Sequence, residues 1–193
     1  MGPHGANRQP VAVLEPRTVL VTGAGPIGLL AALLGRQRGL EVHLFDRVTA
    51  GAKQALATEL GAEYHGGEVS ALGTLRPDII IECTGASAVI ADAVTRSGPS
   101  GVVCLAGISS GQHVLNMDLG AVGKRMVLEN DVVFGSVNAN RRHYDLAAAA
   151  LAHADQHWLS RLITRRVPLA SFRDAFDRRP EDVKVVIDFS VPA

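Results

Sequence analysis

Hydrophobic positions fall in short unbroken runs separated by longer stretches in which apolar and polar residues alternate with helical spacing. Val19–Val21, Val42–Phe45, Ile79–Ile81 and Val102–Leu105 are of strand length, and the last two carry no polar alternation, as expected of central strands covered on both faces. The spacing predicts strands over Thr18–Thr22, Glu41–Asp46, Ala62–His65, Asp78–Glu82 and Gly101–Leu105. It predicts helices from Pro26 to about Arg38, over Gly51–Leu60 and over Ser87–Arg96, the first two closed by Gly39 and Gly61. Strands joined by helix-length crossovers give βαβ units and a parallel sheet with helices on both faces.

Beyond Gly107 the pattern predicts a helix over Asp118–Glu129, a strand over Val132–Val137, and an alanine-rich helix from Tyr144 to about His157. A strand from Ile163, a helix over Leu169–Asp177 and a closing strand over Val183–Phe189 complete the chain. The fold class is therefore α/β: one doubly wound parallel sheet of the Rossmann type, residues 17–193, with a C-terminal extension of helices and strands. Residues 1–16 are expected to be a flexible leader.

The turn after the first strand carries the candidate chemistry. Gly23-Ala-Gly-Pro-Ile-Gly28 fits G-x-G-x-x-G. Gly23 permits the tight turn, Gly25 lets the backbone approach a pyrophosphate, and Gly28 allows close helix–strand packing. Pro26 suits the first helical turn, and the helix N-terminus offers unpaired N–H groups and partial positive charge to phosphates. Asp46, about twenty residues on at the end of the second strand, is placed to accept hydrogen bonds from the adenosine ribose hydroxyls and to repel a 2′-phosphate. NAD is favoured on that ground. Arg47, whose guanidinium can pair with a 2′-phosphate, keeps NADP open.

Charge narrows the partners. Nineteen basic and nineteen acidic residues cancel among 193, so the basic excess of a nucleic-acid-binding protein is missing. The apolar runs are too short to span a bilayer, and no membrane partner is expected. The two cysteines, Cys83 and Cys104, lie in strand-like runs and read as buried free thiols. The balance is that of a cytoplasmic protein.

Three motifs together resemble the coenzyme-binding half of zinc-type medium-chain dehydrogenases: Thr22-Gly-Ala-Gly-Pro-Ile-Gly-Leu29, Glu82-Cys-Thr-Gly85 and Leu105-Ala-Gly-Ile108. Phe134-Gly-Ser-Val-Asn-Ala-Asn140 and the ending Pro180–Ile187 are similar to the archaeal-type glucose 1-dehydrogenase branch. The resemblance implies that Gly25, Pro26 and Ile27 lie against the pyrophosphate, with Asp46 and Arg47 at the adenosine ribose. It implies that Thr84 and Gly85 border the cofactor's ribose, that Leu105, Gly107 and Ile108 run along the nicotinamide, and that Val137 and Asn138 close over the ring. Asn138 would also touch a sugar hydroxyl, and Lys184 would reach the pyrophosphate. From the residues alone, Thr84 reads equally well as a helix cap and Asn138 as a turn residue.

Members of that family carry their zinc ligands and most substrate contacts in a domain preceding the coenzyme domain. Only sixteen residues precede Arg17 here, so no catalytic residue and no metal site is expected within this chain, and zinc is expected only in the missing domain. His153 and His157 have i, i+4 spacing but no evident third ligand. The expected function is the NAD(P)-binding domain of a sugar, polyol or alcohol dehydrogenase, working with a catalytic domain or chain. The alternatives are a non-catalytic NAD(H)-binding regulatory module and a small complete oxidoreductase. The apolar strand Val132–Val137 is expected at the sheet edge, and in the resembling family the corresponding strands pair across a two-fold axis, which implies a homodimer.

Overall fold

The computed structural model describes residues 15–109, 114–177 and 179–190; the expected leader therefore lies, up to residue 14, outside the described residues. Strands β1 (Thr18–Thr22), β2 (Glu41–Asp46), β3 (Glu63–Gly66), β4 (Ile79–Glu82), β5 (Val102–Leu105) and β6 (Val132–Gly135) form one sheet in the order β3-β2-β1-β4-β5-β6, with every pairing parallel. Helices α1 (Pro26–Gln37), α2 (Ala52–Glu59), α3 (Ser87–Arg96) and α4 (Leu119–Glu129) lie between strands along the chain. The order reverses between β1 and β4, where a doubly wound sheet opens its crevice.

β1 separates two cores because successive side chains leave a strand on opposite faces. Val19 and Val21 join Leu29, Ala32, Leu33, Val42 and Leu44 in one cluster. Leu20 joins Phe45, Ile80, Val89, Ala93 and Val103 in the other. Burial on both faces explains why β1 and β4 lack polar alternation. Gly35 lets α1 settle on the sheet: a Cβ there would stand 2.9 Å from Val42 and 3.0 Å from Val19.

The C-terminal part holds α5 (Arg141–Ala152), α6 (Gln156–Arg161) and a separate two-stranded parallel sheet of β7 (Ile163–Pro168) and β8 (Lys184–Asp188). Trp158 of α6 is buried in the first core and donates its indole N–H to the Leu56 carbonyl at 2.9 Å, fastening this part to α2.

Three elements depart from the sequence reading. The alanine-rich helix is two helices, starting at Arg141, where Asn140 and His143 form a capping box, and breaking before Asp155, whose carboxylate caps α6. The expected helix over Leu169–Asp177 is a 3-10 helix, Leu169–Phe176, interrupted by non-helical backbone at Ser171. β6 ends at Gly135, two residues short of the expected strand. Among the described residues no helix is long and apolar enough to cross a membrane.

Candidate functional site

The carboxyl ends of β1, β2 and β4 open onto a cleft of about 1080 Å³, walled by Gly23, Gly25, Asp46, Arg47, Lys53 and Thr84 among others. Its floor is the glycine turn. Gly23 has φ +95 and donates its N–H to the Phe45 carbonyl at 2.6 Å, tying β1 to the end of β2. Gly28 sits in the first turn of α1 against the strand: a Cβ there would stand 1.8 Å from the Gly23 carbonyl oxygen. Gly25 differs from both. It is the N-cap of α1 with φ −78, and an added Cβ would meet nothing within 4 Å. Gly23 and Gly28 thus serve the fold, while Gly25 keeps the cleft open above the first-turn amides of α1, which have no partner within the helix.

Asp46 holds the second wall. Its carboxylate accepts from the Ala24 N–H at 2.7 Å and from the Val48 N–H at 2.9 Å, so it fixes both the glycine turn and the loop after β2. Lys53, in the first turn of α2, places its Nζ 3.4 Å from both carboxylate oxygens. Tyr64 of β3 braces the same loop by donating to the Val48 carbonyl at 2.5 Å. Burial, with the Asp46 charge, pushes its phenol up to about 12, so that donor persists across the neutral range.

The third wall rests on a buried carboxylate. Glu82 ends β4 with no solvent exposure. It accepts from the Thr84 N–H at 2.6 Å, from the Gly85 N–H at 3.1 and 3.2 Å, and from the Thr84 hydroxyl. The same hydroxyl accepts from the Ala86 N–H at 3.0 Å. Thr84 lines the cleft with its hydroxyl turned inward, and Ala86 is the N-cap of α3. Gly85, at φ +67, lies under the backbone that follows β5. A Cβ on Gly85 would stand 2.5 Å from the Ile108 carbonyl, and one on Gly107 would stand 2.2 Å from the Gly85 nitrogen and 2.7 Å from Glu82 Oε2. Two glycines and one carboxylate therefore lock the turn after β4 to the segment after β5.

The remaining expected site residues spread outward. Pro26 and Ile27 occupy the start of α1, with Ile27 exposed; Leu105 is half-buried at the end of β5, and Ile108 is 79% exposed. Val137 and Asn138 are exposed on the loop beyond β6, and Lys184 is exposed at the start of β8. None of these seven lines the cleft, whereas Arg179 and Pro180, from the same C-terminal segment as Lys184, do. Sequence reasoning assigned no role to Lys53, Glu82 or Arg179. A glutamate closing the apolar run Ile79–Ile81 was the available signal for Glu82.

Both cysteines are free, as expected, but each is half-buried rather than buried. Burial, followed by the Glu82 charge and Cys104, raises the Cys83 thiol to about 12, and burial also raises Cys104; neither supplies a thiolate at neutral pH. His153 and His157 do not share a helix face, because His153 caps α5 and bonds the Ala149 carbonyl while His157 lies in α6. Backbone amides, three cations and one carboxylate make the cleft a receptor for phosphate and hydroxyl groups.

Comparison with known proteins follows the same line. Residues 4–189 match the family described as glucose dehydrogenase C-terminus. A glucose 1-dehydrogenase of Methanocella arvoryzae is 35% identical over 185 residues, covering 91% of this chain and 52% of that protein. A glucose 1-dehydrogenase of Caldivirga maquilingensis is 36% identical over 180 residues, covering 91% and 51%. A solved structure of Haloferax mediterranei glucose dehydrogenase in complex with NADP, Zn and gluconolactone superposes with a TM-score of 0.81 at 27% identity, covering 92% of this chain and 52% of that one. The chain thus spans about half the length of the relatives it matches.

Proposed function

Since this chain belongs to the glucose dehydrogenase C-terminal family, we propose that it is the nicotinamide-dinucleotide-binding part of an oxidoreductase acting on a sugar or polyol hydroxyl, working in the cytoplasm. The observation that carries the reading is Gly25: open space where a side chain would stand, at the N-terminus of α1, in the crevice where the strand order reverses. That space admits a pyrophosphate to the first-turn amides, so the residues present fit the cofactor. When bound, the cofactor supplies the hydride chemistry. The chain's own residues hold and orient it.

Asp46 faces the adenosine ribose, and the locked pair of turns at Thr84–Gly85 and Gly107–Ile108 forms the bed for the nicotinamide end. Val137 and Asn138 would come down over the ring, with Asn138 meeting a substrate hydroxyl, and Lys184 would reach the pyrophosphate from β8. Zinc and most substrate contacts are assigned to a catalytic domain or chain beyond these residues. A second subunit is assigned to the open edge of β6.

At the ribose end the sequence favours NAD, but Lys53 favours a second reading. Its ammonium, 3.4 Å from the Asp46 carboxylate, offsets the charge that would repel a 2′-phosphate, and Arg47 and Arg179 add two more cations to the same wall. NAD(H) and NADP(H) should therefore bind within about tenfold of each other, a gap of about 1.4 kcal/mol. Fluorescence titration with NADH and NADPH tests this. Lys53→Ala leaves Asp46 uncompensated and should weaken NADPH about tenfold while NADH changes by less than about threefold, the Coulomb term at this range and partial burial being of that order. Failure of either nucleotide to bind would sink the function. An unchanged NADPH affinity in Lys53→Ala would remove only the dual-cofactor reading.

A further inference from the structure

β2 and β3 are paired in register with His43 opposite Glu63 and Phe45 opposite His65. Alternate residues leave a strand on one face, so Glu41 and His43 of β2 meet Glu63 and His65 of β3. His43 Nδ1 lies 3.0 Å from His65 Nε2 and 3.5 Å from Glu63 Oε2, and His65 Nε2 lies 3.7 Å from Glu63 Oε1. Two imidazole nitrogens and one carboxylate thus converge on a single point.

The separations fit a small dication. Zinc bonds of about 2.0–2.1 Å in a tetrahedron set the ligand atoms about 3.3 Å apart, within the observed 3.0–3.7 Å span. On the far side of the ring, His43 Nε2 stands 3.3 Å from Glu41 Oε1. A carboxylate on the second nitrogen of a ligating imidazole fixes its tautomer and raises its basicity. The His43 and His65 side chains are only 7% and 14% exposed, so packing holds their rings, whereas Glu63 is 64% exposed on the last strand of the sheet. That side gives an ion a way in and leaves its fourth position to water.

We propose that His43, Glu63 and His65 bind a zinc ion, with Glu41 as the positioning carboxylate, and that the ion clips the edge strand β3 to β2. None of the four residues lines the cleft, so the inference is independent of the dinucleotide reading. Zinc alone, titrated calorimetrically into the tag-free, metal-stripped chain, should bind with one equivalent and a Kd of about 1 μM or lower. Cobalt in its place should give the visible absorption of a four-coordinate site. His65→Gln and Glu63→Gln should each weaken binding at least about tenfold, and Glu41→Gln about tenfold. Zinc should raise the melting temperature of the unmutated chain and not that of Glu63→Gln. Should His65→Gln fail to fold, Glu63→Gln decides, since its side chain stands largely in solvent and its fold is checked by circular dichroism. An absence of binding at about 100 μM zinc, or binding untouched by the foldable substitutions, would overturn the site and leave the two histidines as a proton-sharing pair.

Discussion

Gly25→Val and Gly28→Ala should part binding from folding within one six-residue turn. At Gly25 the backbone has φ −78 and ψ −176, a region open to any residue, and a Cβ meets no atom within 4 Å. Valine loses up to about 1 kcal/mol as a poor N-cap and recovers about 0.4–1 kcal/mol by restricting the unfolded chain. The net change in stability should stay within about 1 kcal/mol, or about 2–4 °C in Tm for a domain of this size. The side chain nevertheless stands in the space the pyrophosphate needs. Losing two charge-assisted hydrogen bonds from the helix start, at about 1.5–3 kcal/mol each, should weaken NADH and NADPH at least about 100-fold. At Gly28 the terms invert. A Cβ 1.8 Å from the Gly23 carbonyl oxygen forces α1 away from β1, and overpacking of this kind costs about 1–3 kcal/mol or more, a fall of about 2–12 °C. Thermal unfolding paired with fluorescence titration reads both. Undiminished binding in Gly25→Val, or an unchanged Tm in Gly28→Ala, would refute the division of labour between the two glycines.

Other substitutions probe the walls and edges. Glu82→Gln places an amide group where four N–H or O–H donors converge, and should cost about 2–3 kcal/mol, seen as a fall of about 4–12 °C in Tm; an unchanged Tm would show that the buried acceptor is dispensable. Burial raises the pKa of Asp78, but hydrogen bonds from the Arg17 and Thr18 amides and the Thr18 hydroxyl, with the Arg17 charge, outweigh it and hold the carboxyl below its usual range. Its contribution is therefore complete above about pH 4 and disappears as pH falls through the lowered folded value. Urea midpoints should reveal it: Asp78→Asn should be less stable at pH 7 and converge on the unmutated chain in acid, and a pH-independent difference would contradict the assignment. The Val132 and Ser136 amides donate to β5, so by alternation Phe134 also faces β5 while Val133 and Gly135 face the open edge. Gly135→Pro, or Val132→Lys at an exposed side chain, should turn the proposed dimer into a monomer by light scattering; a monomeric unmutated chain at micromolar concentration would dispose of the dimer.

Whatever depends on neighbours in sequence was legible, and whatever depends on register was not. Gly23, Gly25 and Gly28 are recognisable because a strand, a turn and a helix start impose their demands within six residues, and Asp46 because a strand end follows at a fixed interval. Ser87–Arg96 was bounded correctly by its own periodicity. The break before Asp155 was missed because alanines continue a helical pattern past it, although an aspartate ahead of Gln156 is a capping signal. Lys53 reaches Asp46 only through the turn between β2 and α2. Arg179 reaches the cleft from more than 130 residues further along the chain. His43, Glu63 and His65 carry no motif, since only the β2–β3 register brings them together.

The packing of the sheet is lopsided, and the imbalance bears on the proposed assembly. At the β1–β2 end, α1, α2 and α6 bury a continuous core closed by Trp158. At the β5–β6 end, α4 contains no fully buried residue, and Leu119 and Val127 on it, Ile108 after β5 and Val137 after β6 are each more than 70% exposed. Single exposed apolar side chains are ordinary, but a succession of them along one end of a fold marks a surface that another surface covers. β6 has a neighbour on one side only, so its outer row of backbone N–H and C=O groups is unpaired among the described residues. The loop proposed to face the substrate, Val137 and Asn138, continues directly from that edge. A partner docked on β6 would therefore bury apolar area, pair the free edge amides and fix the loop assigned to the nicotinamide in one step, which couples assembly to the geometry of the cofactor site.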